Sequence, residues 1–128
     1  MNLLLDTHIV LWASAAKSKL PQKAAQLLGS GDHTLWVSAA TFWEVAIKRS
    51  LNKPDFQIDA APLRAGLLRN GYFELAIDGT HSLEVARLPM HHTDPFDRLL
   101  VAQAKCEGMM LLTSDRGLSV YGDNVLAG

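Results

Sequence analysis

Apolar positions along the chain fall into two patterns. Uninterrupted runs open it at "NLLLD" and recur at "MMLLTSD" near the end. Such runs mark short strands buried on both faces. "TLWVS" reads as another strand, "YFELAI" as a strand or extended piece, and "NVLA" as a last short strand. Between them the apolar residues recur at helical spacing. Helices are predicted from about Thr7 to Ala15 and over "LPQKAAQLL", with Pro21 in the first turn and Gly29 just past the end. Ser38 is the expected N-cap of a helix running to about Arg49, and "APLRAGLLRNG" is a helix closed by Gly71. "DGTHSLEVARL" is helical up to Pro89. "DPFDRLLVAQAKCEG" is the strongest helix: Asp94 caps it, Pro95 takes the first helical position and Gly108 stops it. Residues 51–60 read as a loop, and "RGLSVYGD" as a turn or short helix. Strands alternating with helices predict an α/β fold, a parallel sheet with helices on both sides.

No repeat or linker divides the 128 residues, so a single domain over 1–128 is expected. Hydrophobic residues make up 48% and charged residues 20%, which separates the chain from disordered sequences. A net charge of -1 gives no sign of bulk nucleic-acid binding, yet leaves room for a local basic rim. The lone Cys106 excludes an internal disulfide, suits a reducing compartment and reads as a small buried helix residue. The start "MNLLLDTH" has no basic stretch, and Asp6 breaks its apolar run. With no long uncharged run, a cytoplasmic protein without a membrane partner is expected.

The acids change the picture. Asp6 follows the first buried strand and Asp115 follows the second. In open parallel sheets the ligand site lies beyond the carboxyl ends of the strands, so these two can share one crevice. A single such Asp is most simply a helix cap; two, on the clearest strands, favour a site. Asp97 lies on one helical face with Leu100, Val101 and Ala104, at spacings of three, four and seven. A carboxylate there is costly unless it is paired or binds a metal. The simpler alternative is a first-turn acid answering the helix dipole. Asp94 is most simply the cap. Glu44 falls on the edge of a stripe of Ala40, Trp43, Ile47 and Leu51, and Lys48 is its i+4 competitor.

Converging carboxylates repel one another and stay partly protonated, and a hard divalent cation removes that conflict. Mg²⁺ or Mn²⁺ is expected. Zinc is disfavoured: His91 and His92 are adjacent in a loop and read as exposed. A cation held by acids, without a Gly-rich phosphate loop, points to hydrolysis of a phosphodiester bond. Thr7, Thr113 and Ser114 are hydroxyls available to the water shell, though Thr7 reads equally as a helix-start residue.

The pieces "LLLDTHIVLW", "VSAATFWEVAIK", "LPMHHTDPFDRLLVAQA" and "LLTSDRGL" stand in this order along nearly the whole chain. Together they resemble the PIN-domain ribonucleases, and among them the VapC-type toxins of toxin–antitoxin pairs. The resemblance implies a three-layer domain whose short, mostly parallel central sheet has helices on both faces. It implies catalytic and metal-binding acids at Asp6, Glu44, Asp97 and Asp115, with Asp94 and the hydroxyl of Thr113 or Ser114 in support. It further implies Mg²⁺- or Mn²⁺-dependent endonucleolytic cleavage of RNA, a homodimer, and inhibition by a small cognate antitoxin. Residues 51–72 carry no matching motif.

Lys48, Arg49, Arg98 and Arg116, with His91 and His92, are candidates to hold RNA phosphates; solvated surface charge is the plainer alternative for each. Trp12, Trp36 and Trp43 sit in apolar stretches and are expected in the core rather than stacked on bases. Other readings remain open. A haloacid-dehalogenase-type phosphatase needs a second acid two residues after Asp6, where this chain has His8. A receiver domain needs a lysine after its last strand, and none follows Arg116. A catalytically silent PIN-like module that only binds protein is the third.

Overall fold

The computed structural model describes residues 1–128. Its centre is a five-stranded sheet: β1 (Asn2–Leu5), β2 (Thr34–Ser38), β3 (Phe73–Leu75), β4 (Met110–Thr113) and β5 (Val125–Ala127). The spatial order is β3-β2-β1-β4-β5, and all four pairings are parallel. The expectation of a mostly parallel sheet is thus exceeded. Six α-helices cover it: α1 (Thr7–Ala15), α2 (Gln22–Gly29), α3 (Ala39–Ser50), α4 (Ala60–Arg69), α5 (Gly79–Arg87) and α6 (Pro95–Glu107). Short 3₁₀ segments lie at Lys17–Lys19 and Arg116–Tyr121.

Alternation along the buried strands feeds two cores. Leu4 and Leu111 face one side and pack with Leu100, Val101, Ala104, Leu118 and Tyr121, beneath α6 and α5. Leu3, Leu5 and Leu112 face the other and pack with Ile9, Val10, Ala24, Val37 and Leu67, beneath α1, α2 and α4. Both faces being covered is why these strands read as unbroken apolar runs. The register Leu3↔Met110, Leu4↔Leu111, Leu5↔Leu112 brings the ends of β1 and β4 level. One further backbone bond, Asp6 N–H to Leu112 O at 3.0 Å, carries the pairing past the strand.

Helix boundaries follow local chemistry. Asp94 accepts N–H bonds from Phe96 (2.8 Å) and Asp97 (3.2 Å), Pro95 begins α6, and Gly108 closes it in the left-handed conformation at φ 66°. Pro21 lies one residue outside α2, and Gly29 is that helix's last residue, so the helix begins and ends one residue later than expected. Cys106 is half-buried, less enclosed than its apolar surroundings suggested.

The chain runs outward from β1 through β2 to β3, then returns to the other side of β1 as β4 and β5. The reversal between β1 and β4 opens a crevice beyond their carboxyl ends. Asp6 and Asp115 stand there.

Candidate active site

Each acid is placed by the element that carries it. Asp6 ends β1 and caps α1: its Oδ1 accepts the Ile9 N–H at 3.0 Å, and its Oδ2 accepts the hydroxyl of Thr113. Its side chain is buried, and burial pushes its pKa above the ordinary carboxylate value despite those two bonds; Glu44 adds to the rise and His8 opposes it. Thr113 also accepts the Asp115 N–H at 3.0 Å, so one hydroxyl ties both strand-end acids. Of the two hydroxyls considered, Thr113 rather than Ser114 makes these contacts. Asp115 caps the 3₁₀ segment through Oδ1, which accepts the Gly117 N–H at 2.8 Å. A Cβ on Gly117 would stand 3.0 Å from that oxygen, so glycine there gives the carboxylate its room.

Glu44 is buried on α3. Its Oε1 accepts the Thr7 hydroxyl at 2.7 Å, and its Oε2 meets Lys48 Nζ at 3.0 Å. Thr7 spends its one proton on Glu44, so the Thr41 hydroxyl, 3.1 Å away, is the donor in that pair. Thr7 therefore does more than start a helix. The helical-wheel expectation for α3 is corrected here. Trp43, Ile47 and Leu51 are exposed, whereas Ala40, Thr41, Glu44 and Val45 face inward. This helix packs against α4 and α6 beside the strand ends, so its inner face meets a polar crevice and not only the core.

Asp97 lies in the first turn of α6, with Leu100, Val101 and Ala104 buried below it. Its pKa is pushed up to about 7, first by burial, then by the charges of Asp94 and Asp6, with Glu44 adding and His92 opposing. Asp6, Glu44 and Asp97 thus act on one another through a shared crevice. Asp94 contributes charge, but its side chain is committed to the helix cap.

His92 was expected as an exposed loop residue, but only His91 is exposed. The His92 Nε2 lies 3.2 Å from Asp115 Oδ2 and 3.6 Å from Asp97 Oδ2. One signal in the sequence pointed there: a His two residues before an N-cap can accept that residue's N–H, as Nδ1 does from Asp94 at 3.2 Å.

The basic candidates divide. Arg98 is buried, and its guanidinium donates to the carbonyls of Pro89 (3.0 Å) and Val85 (3.0 Å) and to the Tyr121 hydroxyl (3.1 Å). It staples α5, α6 and the 3₁₀ segment and is not available to a phosphate. Lys48 pairs with Glu44, Arg49 pairs with Asp59 at 3.2 Å, and Arg116 is exposed. Among the tryptophans, Trp12 and Trp36 are partly buried against the core. Trp43 is 59% exposed and meets Phe96 edge-on at 5.2 Å, which corrects the expectation of a core residue.

Two groups of side chains converge closely enough to consider for a metal: His92, Asp97 and Asp115, and Asp78, His81 and Glu107. In the second group, His81 Nδ1 accepts the Asp78 N–H at 3.1 Å, and Nε2 lies 2.8 Å from Glu107 Oε2. Both nitrogens are used, so this group is a hydrogen-bonded staple between α5 and α6. The crevice acids offer carboxylate oxygens, the donors a hard divalent cation prefers. Burial and mutual repulsion disfavour the charged forms of Asp6 and Asp97, and a divalent charge reverses both effects. The residues fit Mg²⁺ or Mn²⁺.

A family profile described as PIN domain matches residues 3–124. The chain belongs to the PIN-domain family. That membership displaces the phosphatase and receiver readings. This PIN domain is 28% identical over 120 residues to Ribonuclease VapC22 of Mycobacterium tuberculosis, covering 91% of this chain and 89% of the relative. Its fold is similar to a chain in the crystal structure of VapBC2 from Rickettsia felis bound to a DNA fragment from their promoter, with TM-score 0.71 and 15% identity over 100% of this chain and 98% of that one. It is also similar to a chain of DNA-bound VapBC from Salmonella typhimurium, with TM-score 0.68 and 14% identity over 99% of this chain and 98% of that one. At these identities the structural likeness is one of fold.

Proposed function

We propose that this PIN domain is a metal-dependent endoribonuclease that acts as the toxin of a toxin–antitoxin pair. The observation that carries the reading is the convergence beyond β1 and β4: Asp6 and Asp115 share the Thr113 hydroxyl, and Asp97 lies beside them with its pKa raised to about 7. In this reading Asp6, Glu44, Asp97 and Asp115 hold Mg²⁺ or Mn²⁺. A cation bound there polarises a phosphoryl oxygen and acidifies the attacking water. Thr113 fixes the Asp6 carboxylate, Thr7 and Lys48 fix Glu44, and the site's carboxylates orient the water and take up its proton. Arg116, exposed next to Asp115, is the freest phosphate contact of the four basic residues considered.

The partner reading rests on the similarity to Ribonuclease VapC22 and on two apolar surfaces. A groove of about 740 Å³, lined by Leu11, Leu20, Leu28, Ile58, Leu63 and Leu67, suits a small antitoxin segment. The exposed stripe of Trp43, Ile47 and Leu51 suits a homodimer. No helix is long and apolar enough to cross a membrane.

The test is RNA cleavage by purified protein with Mg²⁺ or Mn²⁺, against Asp6→Asn, Asp97→Asn and a chelator control. Cleavage lost in both variants and in chelator supports the reading. Equal cleavage by wild type and variants overturns the site, and no cleavage under any condition favours a silent protein-binding module. A small antitoxin reading frame beside this gene, whose product suppresses toxicity on co-expression, tests the toxin role.

A further inference from the structure

We propose that His92 is a positioning residue of the acid site, holding Asp115 as a hydrogen-bond donor beside Asp97 and not ligating the metal itself. The inference rests on the reading of these acids as a cation site.

Three contacts fix the His92 residue. Its backbone N–H donates to the Tyr121 hydroxyl at 3.0 Å. Its Nδ1 accepts the Asp94 N–H at 3.2 Å. Its Nε2 faces Asp115 Oδ2 at 3.2 Å, with Asp97 Oδ2 at 3.6 Å. The anchors are themselves held: Arg98 donates to the same Tyr121 hydroxyl at 3.1 Å, and Asp94 caps α6.

The second contact decides the tautomer. A nitrogen that accepts an N–H carries a lone pair, so the ring proton of the neutral imidazole sits on Nε2. Nε2 then has no lone pair to give a metal. It has a proton to give a carboxylate, and the Asp115 oxygen lies in reach. The other Asp115 oxygen is held by the Gly117 N–H at 2.8 Å, so both of its oxygens are oriented. Each carboxylate oxygen retains a further lone pair, so this bond is compatible with ligation of a cation. Hydrogen-bonded partners of this kind set the direction of metal-ligating carboxylates. Asp115 needs one more than the others do, because its side chain is 46% exposed and stands at a turn.

The experiment is calorimetric titration of chelator-stripped protein with Mn²⁺, without RNA, for wild type, His92→Ala, His92→Gln and Asp97→Asn. Glutamine keeps an N–H at similar reach but replaces the ring. His92→Ala is expected to weaken Mn²⁺ binding about 10-fold to 100-fold, the usual cost of losing a group that orients a ligand. His92→Gln is expected to restore most of that loss. If His92→Gln loses as much as His92→Ala, or if His92→Ala binds Mn²⁺ as well as wild type, the positioning role is wrong. If wild type binds no Mn²⁺, or Asp97→Asn binds it equally well, the acid-site reading itself fails.

Discussion

Thr113 donates its hydroxyl to Asp6 across 107 positions of sequence, and the same oxygen receives the Asp115 N–H at 3.0 Å. The parallel pairing of β1 with β4 creates this contact, because it sets the two strand ends side by side. Thr113→Val removes the donor to a buried carboxylate and orphans a backbone N–H. A loss of about 1–3 kcal/mol in unfolding free energy is expected, read by thermal or denaturant melting. Thr113→Ser, which keeps the hydroxyl, is expected to retain most of the stability and of the Mn²⁺ affinity.

Asp94 and Asp97 share a helix start, and the proposed function gives them different tasks. Asp97→Asn is expected to abolish metal-dependent RNA cleavage. Asp94→Asn is expected to preserve it largely, since asparagine also caps a helix well; Asp94→Ala is expected to cost about 1 kcal/mol of stability. Cleavage rates and melting curves on the three variants decide this, and a reversed pattern would show that the roles are exchanged.

The raised pKa of Asp97 predicts a pH dependence with a definite sign. Its carboxyl holds its proton up to about pH 7 in the fold, against an ordinary 3.8. The protonated form is thus favoured by folding, and the associated stability is complete below about pH 4 and lost as pH rises through about 7. In chelator, wild type is expected to melt progressively lower than Asp97→Asn across that window. Mn²⁺ must displace the same proton, so its apparent affinity is expected to rise up to about tenfold per pH unit below 7 and then level off. A flat Mn²⁺ affinity from pH 5 to about 7 would contradict this.

Arg98 and Arg116 separate structure from substrate contact. Arg98→Ala leaves buried carbonyls without donors and is expected to destabilise the fold by about 2 kcal/mol or more. Arg116→Ala is expected to leave the melting temperature unchanged, weaken RNA binding and reduce its salt dependence by about one counterion. Filter binding at several salt concentrations, beside melting curves, distinguishes the two.

The sequence by itself determined the order and type of the elements, and in most cases their limits. Continuous apolar runs announced strands covered on both faces, and Asp94-Pro95 with Gly108 bounded α6. It also carried Asp94 as the cap of α6, since capping is a local property. Tertiary structure alone decided which face of α3 turns inward. Periodicity tells which residues share a face; it does not tell whether that face meets a core or a polar crevice, so Trp43 is exposed where a core residue was expected, while Glu44, expected at the edge of that stripe, is buried. Tertiary structure likewise drew Arg98 inside and His92 into the acid cluster. Those positions depend on hydrogen-bond partners far away in the chain, Tyr121 and Asp115, which meet their loop only after β4 has paired with β1.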